Sequence, residues 1–146
     1  MADDETVRSL EHEMGVLVRR LRRLITERAR LVHPDLAPVG YSMLMALQDE
    51  PRRASDLVDL FSIDKGAVSR QVQALLELGL IERTPDPEDR RAAILAITDE
   101  GTRRLATVSD RRRAELLGRL STWSSEELSD FVSALARYNA ALESSH

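Results

Sequence analysis

Two short helical patterns meet across a turn too short to be a linker, and that junction limits the possible folds more than any other feature of the chain. Leu57, Val58, Leu60 and Phe61 repeat at helical spacing between Ser55 and Phe61, and Val68, Val72, Leu75 and Leu76 do so between Lys65 and Leu78. Only Ser62-Ile63-Asp64 separates them. A turn of about three residues forces two helices into angled contact, the spacing of a helix-turn-helix. Asp64 is a natural N-cap, because its carboxylate can accept from the free N–H groups of the next turn. Gly79 follows the second pattern, where a left-handed residue ends a helix at least cost.

The second helix divides into two faces. Its apolar positions should meet the core, which leaves Lys65, Ser69, Arg70 and Gln73 on the outside with no acid among them. These are donors suited to phosphates and base edges, and a helix of this width fits the major groove of DNA. Gly66 leaves room for a close backbone approach. A solvated polar face, which any surface helix has, is the plainer alternative.

A hairpin follows, with Leu80 to Thr84 and Ala92 to Ile97 as strands. The intervening Pro85-Asp86-Pro87-Glu88-Asp89-Arg90-Arg91, rich in proline and acid, reads as a solvated loop. Arg90 and Arg91 stand at its tip. A guanidinium on a thin ribbon can enter the narrow minor groove, drawn by its negative potential. Asp89 can hold a neighbouring guanidinium in one orientation, or the group can be a self-satisfied surface ion pair of little consequence.

The flanking segments are helical. From Thr6 to Leu31, apolar residues at Val7, Leu10, Met14, Leu17, Leu21, Leu24 and Leu31 form a heptad seam broken at Arg28, with Arg19, Arg20, Arg22 and Arg23 around it. That pattern fits either a dimerisation helix or a long surface helix on its own domain. A second helix starts at Pro38 and stops before Pro51. A fifth starts at Thr98 with Asp99 and Glu100 in its first turn. A sixth starts at a Ser124/Glu127 capping box, with Trp123 and Leu128 as a hydrophobic staple.

Composition bears on partners. The net charge is −4, unhelpful for a nucleic-acid binder, yet residues 51–113 hold 12 basic and 11 acidic side chains, so the excess acid lies elsewhere. Twenty of the 21 basic residues are Arg, which forks onto phosphate and guanine; GC-rich coding would give the same excess. The chain has no cysteine, which excludes disulfides, thiolate metal sites and thiol redox sensing. His12, His33 and His146 fall in no ligand or triad spacing, and no Gly-rich phosphate loop follows a strand, so an enzyme is not expected. An acidic N-terminus and the lack of a long apolar run point to the cytoplasm, with no membrane partner.

At these residues the chain resembles the MarR family of winged helix-turn-helix transcription regulators. Asp64-Lys65-Gly66-Ala67-Val68-Ser69-Arg70 is similar to the family's recognition-helix opening. Leu75 to Arg83 is similar to its helix end and first wing strand, and Asp86 to Arg91 with Leu95 to Gly101 to its wing signature. Ile97 departs from the Leu common there. The resemblance implies a mostly α, α+β fold over 1–146 as a single domain. Residues 35–97 would be its winged helix, and 1–34 and 98–146 dimerisation helices. It implies a homodimeric, sequence-specific DNA-binding regulator, most often a repressor, reading pseudo-palindromes in double-stranded DNA. Arg91 would insert into the minor groove with Asp89 orienting it, and Ser69 and Arg70 would meet the major groove; Lys65, Gln73 and Arg90 join them by position. No cofactor or metal is expected. A small aromatic or anionic effector is implied, with Tyr41, His33, His12 and Met45 as candidates that could equally be packing or surface residues. A winged helix used for protein contacts is the alternative suggested by the net acidity, although the outer helix face lacks the exposed aromatics or Leu such a site uses.

Overall fold

The computed structural model describes residues 1–144. Among them the elements run α1 Asp4–Val32, α2 Pro38–Asp49, β1 Arg52–Arg53, α3 Ala54–Phe61, α4 Lys65–Glu77, β2 Ile81–Pro85, β3 Ala93–Ile97, α5 Asp99–Arg119 and α6 Ser125–Glu143. They form two compact units, one reaching Ser109 and one starting at Asp110.

In the first unit each helix begins and ends where its local chemistry says it should. Asp3 caps α1 by accepting from the Thr6 amide at 2.6 Å, so the helix starts earlier than its apolar seam suggests. Asp64 caps α4 by accepting from the Ala67 amide at 2.8 Å. At the other end of α4, Gly79 adopts φ +71° while its own amide donates to Leu76 and the Leu80 amide donates to Leu75. That double bond pattern satisfies carbonyls a helix end leaves free, and only glycine takes the left-handed turn without a Cβ penalty. Ser62, in the turn between α3 and α4, is also left-handed at φ 51°. Replacing Asp64 by Ala is expected to cost about 1 kcal/mol, as for other N-caps; urea denaturation measures it.

The core is aliphatic. Leu57 of α3, Val68, Val72 and Leu75 of α4, Leu95 of β3 and Leu105 of α5 are at most 3% exposed. Met43, Leu44 and Leu47 bury α2 among them. Leu60, read from sequence as part of the same apolar set, is 52% exposed, because an eight-residue helix turns only part of its surface inward. Along α1 only Ala29 and Val32 are buried, whereas Val7, Leu10, Leu17 and Leu21 are exposed.

The sheet corrects the sequence reading. It has three strands in the order β1-β3-β2, both pairings antiparallel, and the expected hairpin is shifted by one residue at each strand start. Pro85 pairs with Ala93 at the end of β2, which is tolerated because β2 is an edge. β1 was not foreseen: two arginines show no alternation, and they become a strand only by pairing with Ile94 and Leu95. Arg52 also donates from Nε to the Ala46 carbonyl at 3.2 Å, closing the end of α2.

In the second unit, Ser124 caps α6 as expected, accepting from the Glu127 amide at 3.0 Å. The Trp123 ring meets Phe131 edge to face, centroids 5.7 Å apart. The expected apolar stripe Phe131, Leu135 and Leu142 is exposed. No described helix is long and apolar enough to cross a membrane.

Candidate nucleic-acid interface

Burial of Val68, Val72 and Leu75 turns Lys65, Ser69, Arg70 and Gln73 outward, and all four are exposed. The Arg70 guanidinium lies back over the first turn, its Nη1 3.5 Å from where a Cβ on Gly66 would stand. Gln73 donates from Nε2 to Glu77 Oε1 at 3.2 Å, so the outer face, read from sequence as free of acid, carries one at its C-terminal end.

Two carboxylates build the wing turn. Asp89 accepts the Arg91 amide at 3.0 Å through Oδ1, and its carbonyl accepts from Ala92 at 3.0 Å. It therefore braces Arg91 through the main chain, where the sequence suggested a hold on a guanidinium. Arg90 and Arg91 are exposed and, among the described residues, pair with no carboxylate. Asp86 is the exception to the expected solvated loop: it is 4% exposed, the one charged side chain buried among the described residues. Its Oδ1 accepts from the Glu88 amide at 2.9 Å, and its Oδ2 accepts from Arg53 Nε at 2.6 Å, with Arg53 Nη2 on the same oxygen.

The Glu88 amide, followed by the Arg53 guanidinium, holds the Asp86 carboxyl below the ordinary carboxylate range against the opposing effect of burial. A lowered folded-state value stabilises the fold above the unfolded value and loses that stabilisation as pH falls through the folded one. Acid unfolding below about pH 4 is thus expected to be shallower in Asp86→Asn than in the wild type, read from urea midpoints across pH.

One open cleft joins these parts. Ser55 from the first turn of α3, Ser69 and Gln73 from α4, Arg83 from β2, Arg91 from the turn, and Arg53 line it, and no carboxylate does. Of the expected contacts, Ser69, Gln73 and Arg91 come together there; Lys65, Arg70 and Arg90 do not line it. Arg53, Ser55 and Arg83 were not singled out from sequence. Strand alternation could have flagged Arg83, which shares a face with Ile81. Nothing local could have flagged Arg53, whose partner lies 33 positions away.

The effector candidates separate. Tyr41 is buried in the core, Met45 is half-buried, and His12 is exposed. His33 ends α1, its Nδ1 accepting from the Asp35 amide at 3.1 Å. No group of three or more His, Cys, Asp or Glu side chains among the described residues could hold a metal ion.

Comparison with known proteins agrees with this geometry. Residues 35–92 match the model of the MarR family. The HTH-type transcriptional regulator YxaD of Bacillus subtilis is 30% identical over 142 residues, 97% of this chain and 98% of that protein. The HTH-type transcriptional repressor NicR of Pseudomonas putida is 27% identical over 67% of this chain and 64% of its own length. The crystal structure of RV1404 from Mycobacterium tuberculosis superposes with a TM-score of 0.78, covering 95% of each chain at 24% identity, which establishes a shared fold.

Proposed function

Because the chain belongs to the MarR family of transcription regulators, we propose that it binds specific duplex DNA as a homodimer and represses transcription from the sites it occupies. The observation that carries this reading is the carboxylate-free cleft in which the outer face of α4 and the wing arginine Arg91 meet. In this reading α4 enters the major groove with Lys65, Ser69, Arg70 and Gln73, while Arg91, with Arg90 beside it and Asp89 bracing its main chain, reaches the adjacent minor groove. Repression is supported by the name of the relative NicR, and binding rather than catalysis by the relatives being named as regulators. The chain would act in the cytoplasm as one domain, residues 35–97 carrying the DNA contacts.

Dimerisation is supported by the exposed apolar stripes. Val7, Leu10, Leu17 and Leu21 on α1, and Phe131, Leu135 and Leu142 on α6, leave large side chains in water. Covering them with a second copy removes that apolar area, the main favourable contribution to association. Two copies would read a pseudo-palindrome with half-sites roughly one helical turn apart. Release by a small aromatic or anionic ligand completes the reading, resting on family membership and on no residue set in this chain.

A mobility shift with the DNA flanking the protein's own gene, joined to sedimentation, tests the reading. A dimer whose binding weakens steeply with added salt is expected. A monomer, or no shift at low salt across the flanking DNA, overturns it.

A further inference from the structure

We propose that Arg83, with Ser55 beside it, holds a backbone phosphate of the bound duplex, a contact that governs affinity but not sequence choice. The inference rests on the DNA-binding reading and adds a residue to it. Arg83 pairs with Leu95 across the β2–β3 ladder and shares a face with Ile81. Ile81 and Leu95 are buried, so that face turns toward the helices. Directly opposed side chains of an antiparallel pair lie on one face. Arg83 thus leaves the core side of the wing and enters the cleft rather than open water.

The walls around it suit an anion. Ser55 and Ser69 offer hydroxyls, and no carboxylate lines the cleft. Among the described residues Arg83 has neither ion pair nor side-chain hydrogen bond, whereas its neighbour Arg53 is occupied by Asp86. The cleft therefore keeps an uncompensated guanidinium. Ser55 stands in the first turn of α3, where helical amides lack intrahelical acceptors and the dipole is positive. A group with several acceptor oxygens and a negative charge is the complement of such a wall.

Position in the fold selects which anion. The cleft lies between the outer face of α4 and Arg91, the two elements assigned to consecutive grooves. What separates a major groove from the next minor groove is the sugar–phosphate backbone, so an element between the two readers faces a phosphodiester. Phosphate contacts fix register and carry no base information.

The test compares wild type, Arg83→Gln, Arg83→Lys and Arg91→Ala on an operator fragment and an unrelated duplex, over a range of chloride concentrations. Arg83→Gln is expected to weaken both duplexes by the same factor, about tenfold, and to flatten the logarithmic salt slope by about 0.9. Arg83→Lys keeps the charge and should keep the slope; the melting temperature of each variant, unchanged because the side chain is exposed, confirms folding. A wild-type slope and affinity in Arg83→Gln, beside a wild type that binds, overturns this inference alone. Loss confined to the operator would make Arg83 a base reader and overturn it too. Inorganic phosphate at matched ionic strength that stabilises wild type but not Arg83→Gln, with the DNA slope unmoved, would assign the cleft to a free anion instead. No DNA binding by wild type would overturn the inference together with the reading beneath it.

Discussion

Gly101→Ala is expected to destabilise the protein by about 3 kcal/mol, the largest effect of any single methyl group added to this chain. Gly101 sits in the first turn of α5, where a Cβ would stand 2.3 Å from the Leu80 carbonyl oxygen and 2.7 Å from Ile97 Cγ1. The first neighbour is backbone and already engaged, since Leu80 accepts from the Thr98 amide at 3.0 Å. It cannot retreat without opening the junction between α4 and α5. Thr98 secures that junction from the other side: its hydroxyl donates to the Gly79 carbonyl at 2.7 Å and accepts from the Gly101 amide at 3.1 Å. A methyl group here must therefore displace backbone and stretch two or more hydrogen bonds, each worth about 1 kcal/mol net. Gly118, also in α5, is the control, because nothing lies within 4 Å of its would-be Cβ. Gly118→Ala is expected to stabilise by up to about 1 kcal/mol through helix propensity alone. Urea denaturation of both variants checks the contrast; equal midpoints would mean that the junction yields.

Arg91→Ala is expected to weaken operator binding by about 1–3 kcal/mol, roughly five- to 150-fold, with the melting temperature unchanged. Stability should hold because the Arg91 side chain is exposed, and the turn is secured by its amide on Asp89 and by the Asp86 amide on the Ala92 carbonyl at 3.1 Å. Alanine keeps both main-chain bonds. What disappears is the guanidinium, whose advantage is greatest where the minor groove is narrow and its potential most negative. The loss should be larger on operators with A-tracts at the wing positions and smaller on unrelated duplexes, unlike the uniform loss expected of Arg83→Gln. Quantitative titration of the two duplexes separates the roles, and unchanged operator affinity in Arg91→Ala would remove the wing from the binding reaction.

The sequence by itself determined the elements whose physics is local. Asp64 and Ser124 cap the helices they precede because an N-cap needs only its own next turn. Gly79 ends α4 because a left-handed residue is required at that one position. The apolar spacing of Val68, Val72 and Leu75 fixed which side of α4 faces outward, and so placed Ser69 and Gln73 on the exposed surface. Tertiary structure alone decided whatever depends on partners distant in the chain. The strand at Arg52–Arg53 exists only through β3, and Asp86 is buried only because Arg53 reaches it. Arg83 enters the cleft only because its strand is laid against buried Leu95. Periodicity and capping report a side chain's relation to its own turn of helix or strand. They carry no record of which distant group comes to neutralise it or to leave it free, and in this chain that difference separates the arginines that hold the fold together from those left to meet a partner.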